Sequence, residues 1–166
     1  MTDRIQTLLD RYVARGEQRK LRQPPEDPYA QAAIYSARGL SDTQRAVTRL
    51  GYVLEKERPV VWPDDRIALV RTVTTLPEIF TREEWAALRD KYTVHEQGKV
   101  FNLAPDYGRL LGRGFREARE EIRRYRDAGD SGSKQGFYDS LLETLDRLSA
   151  FAGRYREEAE RVGNPI

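Results

Sequence analysis

Apolar side chains recur at helical spacing through most of this chain, and this periodicity restricts the fold more than any other feature. Four segments show it over a long run: 2–16, 41–58, 107–127 and 137–161. Hydrophobic residues make up 39% of the chain and charged residues 34%, a balance typical of amphipathic helices with solvated outer faces. At 166 residues the chain has the size of one domain. The sequence therefore predicts a mainly α fold.

Start and stop signals bring the predicted number of helices to about six. Pro28 suits the first position of a short helix that runs to about Ala37. Ser41 or the aspartate that follows it caps the next helix. Thr81 and Glu84 match the capping-box pattern and place a further helix start at Thr81. The Gly- and Ser-containing segment 129–136 is predicted to be a flexible connection.

The apolar stripe of each helix predicts which residues it buries. Gly51 interrupts one of these stripes at a cost of about 1 kcal/mol relative to alanine, which a close contact with another helix would offset. The predicted inward residues are Ile5, Leu8, Leu9, Tyr12 and Val13; Val47, Leu50, Val53 and Leu54; Leu110, Leu111, Phe115, Ala118, Ile122 and Tyr125; and Phe137, Leu141, Leu145, Leu148, Phe151, Ala152 and Tyr155.

Two Val- and Ile-rich stretches, 59–62 and 66–73, are the β-like parts of the sequence, and 63–65 is predicted to be the turn between them. They form either a short β pair or two extended segments. A lone hairpin is marginal in water, so the pair is expected to need a partner surface. As a single partial domain, the chain divides into a helical part, an extended pair and a second helical part, at 1–58, 59–80 and 81–166.

Composition excludes several kinds of chemistry. The chain has no cysteine, so it has no thiolate nucleophile and no thiolate metal ligand, and its one histidine, His95, rules out a His-rich metal cluster. Lys and Arg number 29 and Asp and Glu 27, and the two signs are interleaved, which argues against a nucleic-acid partner despite a pI near 8.9. The charged face of 116–126 is expected to be solvated. No apolar run is long enough to span a bilayer, so a soluble cytoplasmic protein is expected.

Several single residues have both a functional and a structural interpretation. His95 has the pKa range of a general acid or base but no nearby nucleophile in sequence, so a surface or loop-anchoring role is favoured. Arg66 and Arg71 suit a carboxylate or phosphate ligand, yet pairing with a nearby Asp64, Asp65 or Glu78 explains them as structural. Trp62 and Trp85 are expected to anchor a core or an interface.

Four segments occur in a fixed order: PVVWPDDRIALVR from Pro59, TREEWAALRDKY from Thr81, PDYGRLLGRGF from Pro105 and FYDSLLETLDRLSAFAGRYREEAE from Phe137. Together they resemble the N-terminal region of the glycyl radical enzymes of the pyruvate formate-lyase and glycerol dehydratase type. The resemblance covers most of the chain, and its strength lies in the order of the segments. It implies a helical region that packs around a ten-stranded α/β barrel.

The resemblance also implies a reaction that this chain alone does not perform. Enzymes of the family are radical lyases, dehydratases or acyltransferases that use a cysteine thiyl and a glycyl radical, and an S-adenosylmethionine-dependent iron–sulfur activase installs the radical. The cysteine loop and the glycine loop are absent here, and the Arg-Val-Gly of 161–163 lacks the family's following tyrosine. The implied partners are the remainder of the enzyme or a complementary chain, and the activase. No residue of this chain is predicted to be catalytic or to bind a metal.

The resemblance implies that residues just before the Pro-Asp-Tyr element line the substrate pocket. Asn102 stands where the dehydratases place a substrate-binding histidine, so the substrate class stays open, and Asp106 offers two acceptor oxygens. The alternative is that Asp106 caps the helix beginning near Tyr107 and that Asn102 bonds backbone in a loop. A different class of function also stays open: a free-standing, non-catalytic helical module that binds a partner or forms a homodimer.

Overall fold

The computed structural model describes residues 3–66, 70–89, 106–129 and 132–164, and it is mainly helical. Seven α-helices lie within these ranges, and a π-helical turn, Asp10–Ala14, continues the first of them. The helices are α1 (Asp3–Leu9), α2 (Glu17–Lys20), α3 (Ala30–Ala37), α4 (Asp42–Lys56), α5 (Arg82–Arg89), α6 (Tyr107–Ala128) and α7 (Gly132–Arg161). The predicted mainly α fold is confirmed, and α2 is the helix that the sequence did not predict.

Capping side chains fix the starts of α4 and α5. Ser41 accepts a hydrogen bond from the Gln44 backbone N–H, and the Gln44 side chain accepts one from the Ser41 N–H in return. At α5, Glu84 N donates to Thr81 Oγ1 at 3.2 Å, and Thr81 N donates to Glu84 Oε2 at 2.8 Å. Each pair satisfies two of the orphan N–H groups at a helix N-terminus. Both predicted starts are confirmed.

Helix α7 is the central element, because α4 packs on one side of it and α6 on another. The predicted face of α4 is confirmed, with Val47 and Val53 buried and Leu50 and Leu54 partly buried. The buried hydrophobic residues among those described are Ala32, Tyr35, Val47, Val53, Val61, Val70 and Ala159.

The predicted β pair is not confirmed, because the described residues of 59–80 contain no strand. Residues 67–69 lie outside the described part of the chain. The polar groups of Thr72 are directed to other parts of the protein: its N–H and hydroxyl donate to Glu57, and its carbonyl accepts from Gln23 N at 2.7 Å. A side-chain carboxylate and a connecting segment therefore take the place of a partner strand.

One predicted boundary is wrong, and one predicted helix is not straight. Helix α7 begins at Gly132, so residues 132–136 are helical where a flexible connection was predicted. Helix α6 contains a kink at Gly114, which has φ 69° and ψ 178°. Only glycine adopts that conformation readily, and the kink turns the first two turns of α6 away from the direction of the rest.

Several predicted inward residues face solvent instead. Leu111 is 83% exposed and Val13 is 74% exposed, and Ile5, Leu9, Tyr125 and Phe137 are also exposed. On α6 the kink at Gly114 changes the direction of the helix between Leu111 and the part that packs on α7. A single 3.6-residue stripe therefore does not describe the whole of α6.

Gly51 lies where α4 approaches α7, as its position in the apolar stripe predicts. A Cβ atom added to Gly51 would lie 1.9 Å from Arg147 Nη1 and 2.2 Å from Arg147 Cζ. The same guanidinium group bonds Glu55 on α4 at 3.1 Å and Glu143 on α7 at 2.7 Å. The missing side chain of Gly51 makes room for Arg147 to bridge the two helices.

We expect the effect of Gly51→Ala to depend on Arg147. In the natural background, the gain of about 1 kcal/mol in helix propensity is offset because the Arg147 guanidinium must move and lose its ion pairs. In an Arg147→Ala background the obstacle is gone, and Gly51→Ala should stabilise the protein by about 1 kcal/mol. Urea unfolding of the four proteins of this cycle measures the difference, and equal effects in both backgrounds would contradict the contact.

Candidate functional site

Of the two residues predicted to contact substrate, the structure describes Asp106, at the start of α6. Asn102 lies outside the described residues, as does His95. Asp106 is exposed and directly precedes α6, and its Oδ1 atom lies 3.5 Å from where a Cβ on Gly108 would stand. A carboxylate over the first turn of a helix suits the positive end of the helix dipole. The position is therefore compatible with the capping role, and the substrate role stays a prediction.

Replacing Asp106 distinguishes a cap from a ligand. Because serine is as good an N-cap as aspartate, Asp106→Ser should leave the first turn of α6 as stable as before, whereas Asp106→Ala should weaken it by about 1 kcal/mol. Amide hydrogen exchange over 107–113 measures this local stability. Equal exchange in the alanine and serine variants would contradict the cap. A substrate role predicts instead that both variants lose substrate affinity in a complete enzyme.

A partly buried ion pair joins α4 to the start of α5. The Arg45 guanidinium donates to both oxygens of Glu84, from Nη1 to Oε2 at 2.7 Å and from Nη2 to Oε1 at 2.9 Å. Arg45 also donates to the Leu40 and Ile79 carbonyls, and its guanidinium lies 5.2 Å from the centre of the Phe80 ring. Four of the five N–H groups of Arg45 are therefore used to bind other parts of this chain.

Hydrogen bonds hold the Glu84 carboxyl in its ionised form. The bonds from Arg45 lower its pKa from 4.5 to about 2, and the bonds from Thr81 N and the Ser36 hydroxyl act in the same direction. The bond to Glu84 in turn raises the pKa of Arg45. A carboxyl with so low a pKa is a poor general acid or base near neutral pH. The pair therefore suits a structural role.

A second buried carboxylate, Glu57, follows the last residue of α4. It accepts hydrogen bonds from the N–H and the hydroxyl of Thr72, the latter at 3.1 Å, and from Val73 N at 3.4 Å. Arg71 Nε lies 3.2 Å from Glu57 Oε2. Arg71 thus has the structural role that its sequence suggested, but its partner is Glu57 rather than Asp64, Asp65 or Glu78.

The C-terminus of α4 is completed by an arginine from α7. Arg154 Nη1 donates to the Leu54 carbonyl at 2.8 Å, and Arg154 Nη2 donates to the Glu57 carbonyl. The last carbonyls of a helix have no partner within the helix, and a cation there also complements the dipole. Arg154 therefore fixes the end of α4 against α7, next to the buried Glu57 carboxylate.

The turn 62–65 is fixed from two sides. Asn164 Nδ2 donates to the Trp62 carbonyl at 2.8 Å and to the Asp65 carbonyl at 2.7 Å. On the other side, Arg11 Nη1 lies 3.0 Å from Asp64 Oδ1. Asn164 reaches the turn because α7 closes there, with Asn164 N donating to the Ala159 carbonyl and Gly163 at φ 70°. This helix-terminating motif accounts for Gly163, so the Arg-Val-Gly of 161–163 does not fit a radical-bearing loop.

The small cleft beside α4 contains a Tyr–Glu–Lys cluster. Tyr52 donates its hydroxyl to Glu26 Oε2 at 2.5 Å, and Lys56 Nζ lies 3.2 Å from Glu26 Oε1. The hydrogen bond to Glu26 raises the pKa of Tyr52, and the bond from Tyr52 lowers the pKa of Glu26. The cluster attaches 23–26 to α4. Because the tyrosine stays protonated and the carboxylate stays charged near neutral pH, neither group is suited to proton transfer.

The outer face of α6 alternates arginines with glutamates. Arg113 Nη1 lies 3.5 Å from Glu117 Oε1, one helical turn on, and Glu120 stands among the further arginines of this face, Arg116, Arg123 and Arg124. All six side chains are exposed. Exposed pairs of this spacing contribute a few tenths of a kcal/mol each. The interleaved signs fit the solvated face that the sequence predicts.

Sequence reasoning missed Glu57, which joins the end of α4 to 71–73, and Arg154, which joins the same end to α7. One signal was present for Glu57: an acidic residue at a helix C-terminus opposes the dipole, so its presence implies strong partners elsewhere.

Within the described residues there is no group of three His, Asp or Glu side chains arranged to hold a metal ion. None of the described helices has both the length and the apolar character needed to cross a membrane.

Comparison with protein-family models, curated proteins and solved structures found no match to this chain.

Proposed function

We propose that this chain is the N-terminal helical region of a pyruvate formate-lyase-like glycyl radical enzyme. In this proposal it packs around an α/β barrel that belongs to the remainder of the enzyme or to a complementary chain. The observation that carries the proposal is the ordered set of four segments that resemble the family. The enzyme would be a radical lyase, dehydratase or acyltransferase of anaerobic metabolism in the cytoplasm.

The contacts that hold the helices and the turn 62–65 together support this proposal. Residues of the resembling segments take part in each of them. Asp64 of the first segment binds Arg11, Glu84 of the second binds Arg45, and Arg154 of the fourth binds the end of α4. These contacts join α4 to α5 and to α7, and the first helix to the turn 62–65, and each holds parts of this chain together. That distribution suits a region whose role is to wrap and position, with the reacting groups located elsewhere.

In this proposal the chain would help to shape the substrate pocket and to contact the substrate, and it would supply no reacting group. It has no cysteine, so the thiyl and the glycyl radical, with the activase that installs the latter, belong to other parts of the assembly. Asn102 and Asp106 are the proposed substrate contacts. The extended segments of 59–80, which need a partner surface, are proposed to form their β pair where they meet the barrel.

The first experiment is anaerobic purification of the protein, tagged in its native cells, followed by measurement of its intact mass. The proposal predicts a species much larger than 19.2 kDa that contains a cysteine-bearing chain or continuation. After treatment with the activase, that species should show the doublet electron paramagnetic resonance signal of a glycyl radical. A 19.2 kDa protein that purifies without such a partner would overturn the proposal.

The assembled enzyme allows a test of the proposed substrate contacts. Asn102→Ala should raise KM or lower kcat/KM by at least tenfold, because a lost hydrogen bond to a bound polar substrate is worth about 1.4 kcal/mol or more. Asn102→Asp is the matched control, since it keeps an acceptor oxygen and removes the donor. Unchanged kinetics in both variants would exclude Asn102 from the pocket.

A free-standing interaction module is the second candidate. The exposed apolar residues Ile5, Leu9 and Val13, at a spacing of four on α1 and its π-helical turn, favour it. Its partner would be another protein or a second copy of the chain. Analytical ultracentrifugation and thermal unfolding of the purified 166-residue chain together separate the two candidates: a dimer that unfolds cooperatively favours the module, and a marginally stable monomer favours the enzyme region.

A further inference from the structure

The helix 3–14, formed by α1 and its π-helical turn, buries none of its residues. Its helical contacts are with α2, the next element along the chain, whereas α4 and α6 both pack on α7. A segment with few buried apolar side chains gains little from the hydrophobic effect, which is the main source of folding stability. The attachment of this helix must therefore come from a few specific contacts.

Those contacts converge on the turn 62–65. Arg11 Nη1 lies 3.0 Å from Asp64 Oδ1 and 3.7 Å from Asp65 Oδ1, and its guanidinium lies 4.7 Å from the centre of the Trp62 ring. Tyr12 meets the edge of the same indole at 5.5 Å between ring centres. One arginine thus makes both ionic contacts and a cation–π contact, which makes it the main closing residue.

The chain that follows this helix is held independently of it. Gly16, at φ 55°, separates the π-helical turn from α2 and can act as a hinge. Beyond it, Gln23 is anchored to the body through Gln23 N to the Thr72 carbonyl at 2.7 Å and Gln23 Nε2 to the Lys56 carbonyl at 2.6 Å. The helix can therefore leave its position without disturbing the segment that follows Gln23.

The turn also has hydrogen bonds of its own that do not involve the helix. Asp65 N donates to the Trp62 carbonyl at 3.0 Å, and Trp62 N donates to Asp65 Oδ2 at 3.0 Å. Asn164 binds the same turn from the end of α7. These bonds remain when Arg11 departs, so the surface that the helix covers is preformed.

We propose that residues 3–15 form a latch that opens as one unit about Gly16 while the rest of the protein stays folded. Arg11 closes the latch on Asp64, Asp65 and Trp62. Opening exposes the indole face of Trp62 and returns the buried Tyr12 hydroxyl to water. The latch is a conformational device of the chain itself and does not depend on the proposed enzyme assembly.

Native-state hydrogen exchange of the full chain, followed by mass spectrometry at low urea concentrations, tests the latch. Amides of 3–14 should exchange through a local opening at least tenfold more often than amides of α4. Arg11→Met, which keeps most of the side-chain volume, should speed exchange over 3–14 by about a further tenfold and leave α4 unchanged. The matched control is Arg15→Met, whose partner is the nearby Glu17 at 3.3 Å, and it should leave the 3–14 exchange within about twofold of the natural chain.

Three results would overturn the proposal. The first is that, in the natural chain, the amides of 3–14 and of α4 exchange in a single concerted opening. This comparison does not need the Arg11 variant to fold. Another is an equal change in both regions after Arg11→Met, which would make Arg11 part of the global fold. The third is no change over 3–14 in that variant, which would remove Arg11 as the closing residue.

Discussion

Glu57→Ala is expected to destabilise the protein by about 3 to 4 kcal/mol. The carboxylate is 1% exposed and is the acceptor for the N–H and hydroxyl of Thr72, a residue that is itself fully buried. Removing an acceptor leaves buried donors without a partner, which costs more than the net value of the hydrogen bonds themselves. The change also removes the partner of Arg71 and leaves a small cavity at the end of α4. Urea unfolding followed by circular dichroism measures the loss.

Glu55→Ala is the matched control at the same end of α4. Its carboxylate is 75% exposed and pairs with Arg147, so its removal should cost less than about 1 kcal/mol. Arg71→Ala should also be mild, because the Arg71 side chain is 64% exposed. A loss below about 1 kcal/mol for Glu57→Ala would show that Thr72 and Val73 find other acceptors. It would then exclude Glu57 as the residue that organises the extended segment.

Local signals predicted the helices well because the responsible interactions are local. Ser41 and Thr81 identify helix starts from three-residue spacing alone, and Gly163 marks the end of α7. The same reasoning failed where a helix changes direction. The kink at Gly114 depends on a backbone conformation that a glycine permits but does not require, so the sequence did not place it. The wrong prediction that Leu111 is buried followed from missing this kink.

Long-range polar contacts were beyond sequence reasoning for a different reason. Glu57 and Thr72 are 15 positions apart, and Arg154 reaches carbonyls about 100 positions away. Nothing in the spacing of such residues distinguishes a buried partner from a solvated charge. Of the proposed substrate contacts, Asp106, for which a helix cap was the alternative role, directly precedes α6, whereas Asn102 lies outside the described residues.

Acid is expected to weaken the protein through Glu84 over a defined range of pH. Its folded-state pKa of about 2 lies below the ordinary value of 4.5, so the ionised carboxylate stabilises the fold above pH 4.5. As the pH falls from about 4.5 to about 2, the unfolded chain binds this proton first and the contribution is lost. The lowered pKa corresponds to at most about 3 kcal/mol, and solvent access to the 29% exposed side chain reduces this to about 2 kcal/mol.

Comparison with Glu84→Gln isolates this contribution from the other carboxyl groups. Glutamine keeps the capping-box acceptor for Thr81 N but has no charge to pair with the buried Arg45, so the variant should be less stable at pH 7 by about 2 kcal/mol or more. Because glutamine does not titrate, the gap between the two proteins should narrow steadily below pH 4.5. Glu83→Gln, an exposed change on the same helix turn, should differ from the natural chain by less than about half as much as Glu84→Gln does. If the natural chain and Glu84→Gln differ in free energy of unfolding by the same amount at pH 7 and at pH 2.5, the stabilisation comes from packing and from hydrogen bonds that need no charge. The ionised pair would then not be what joins α4 to α5.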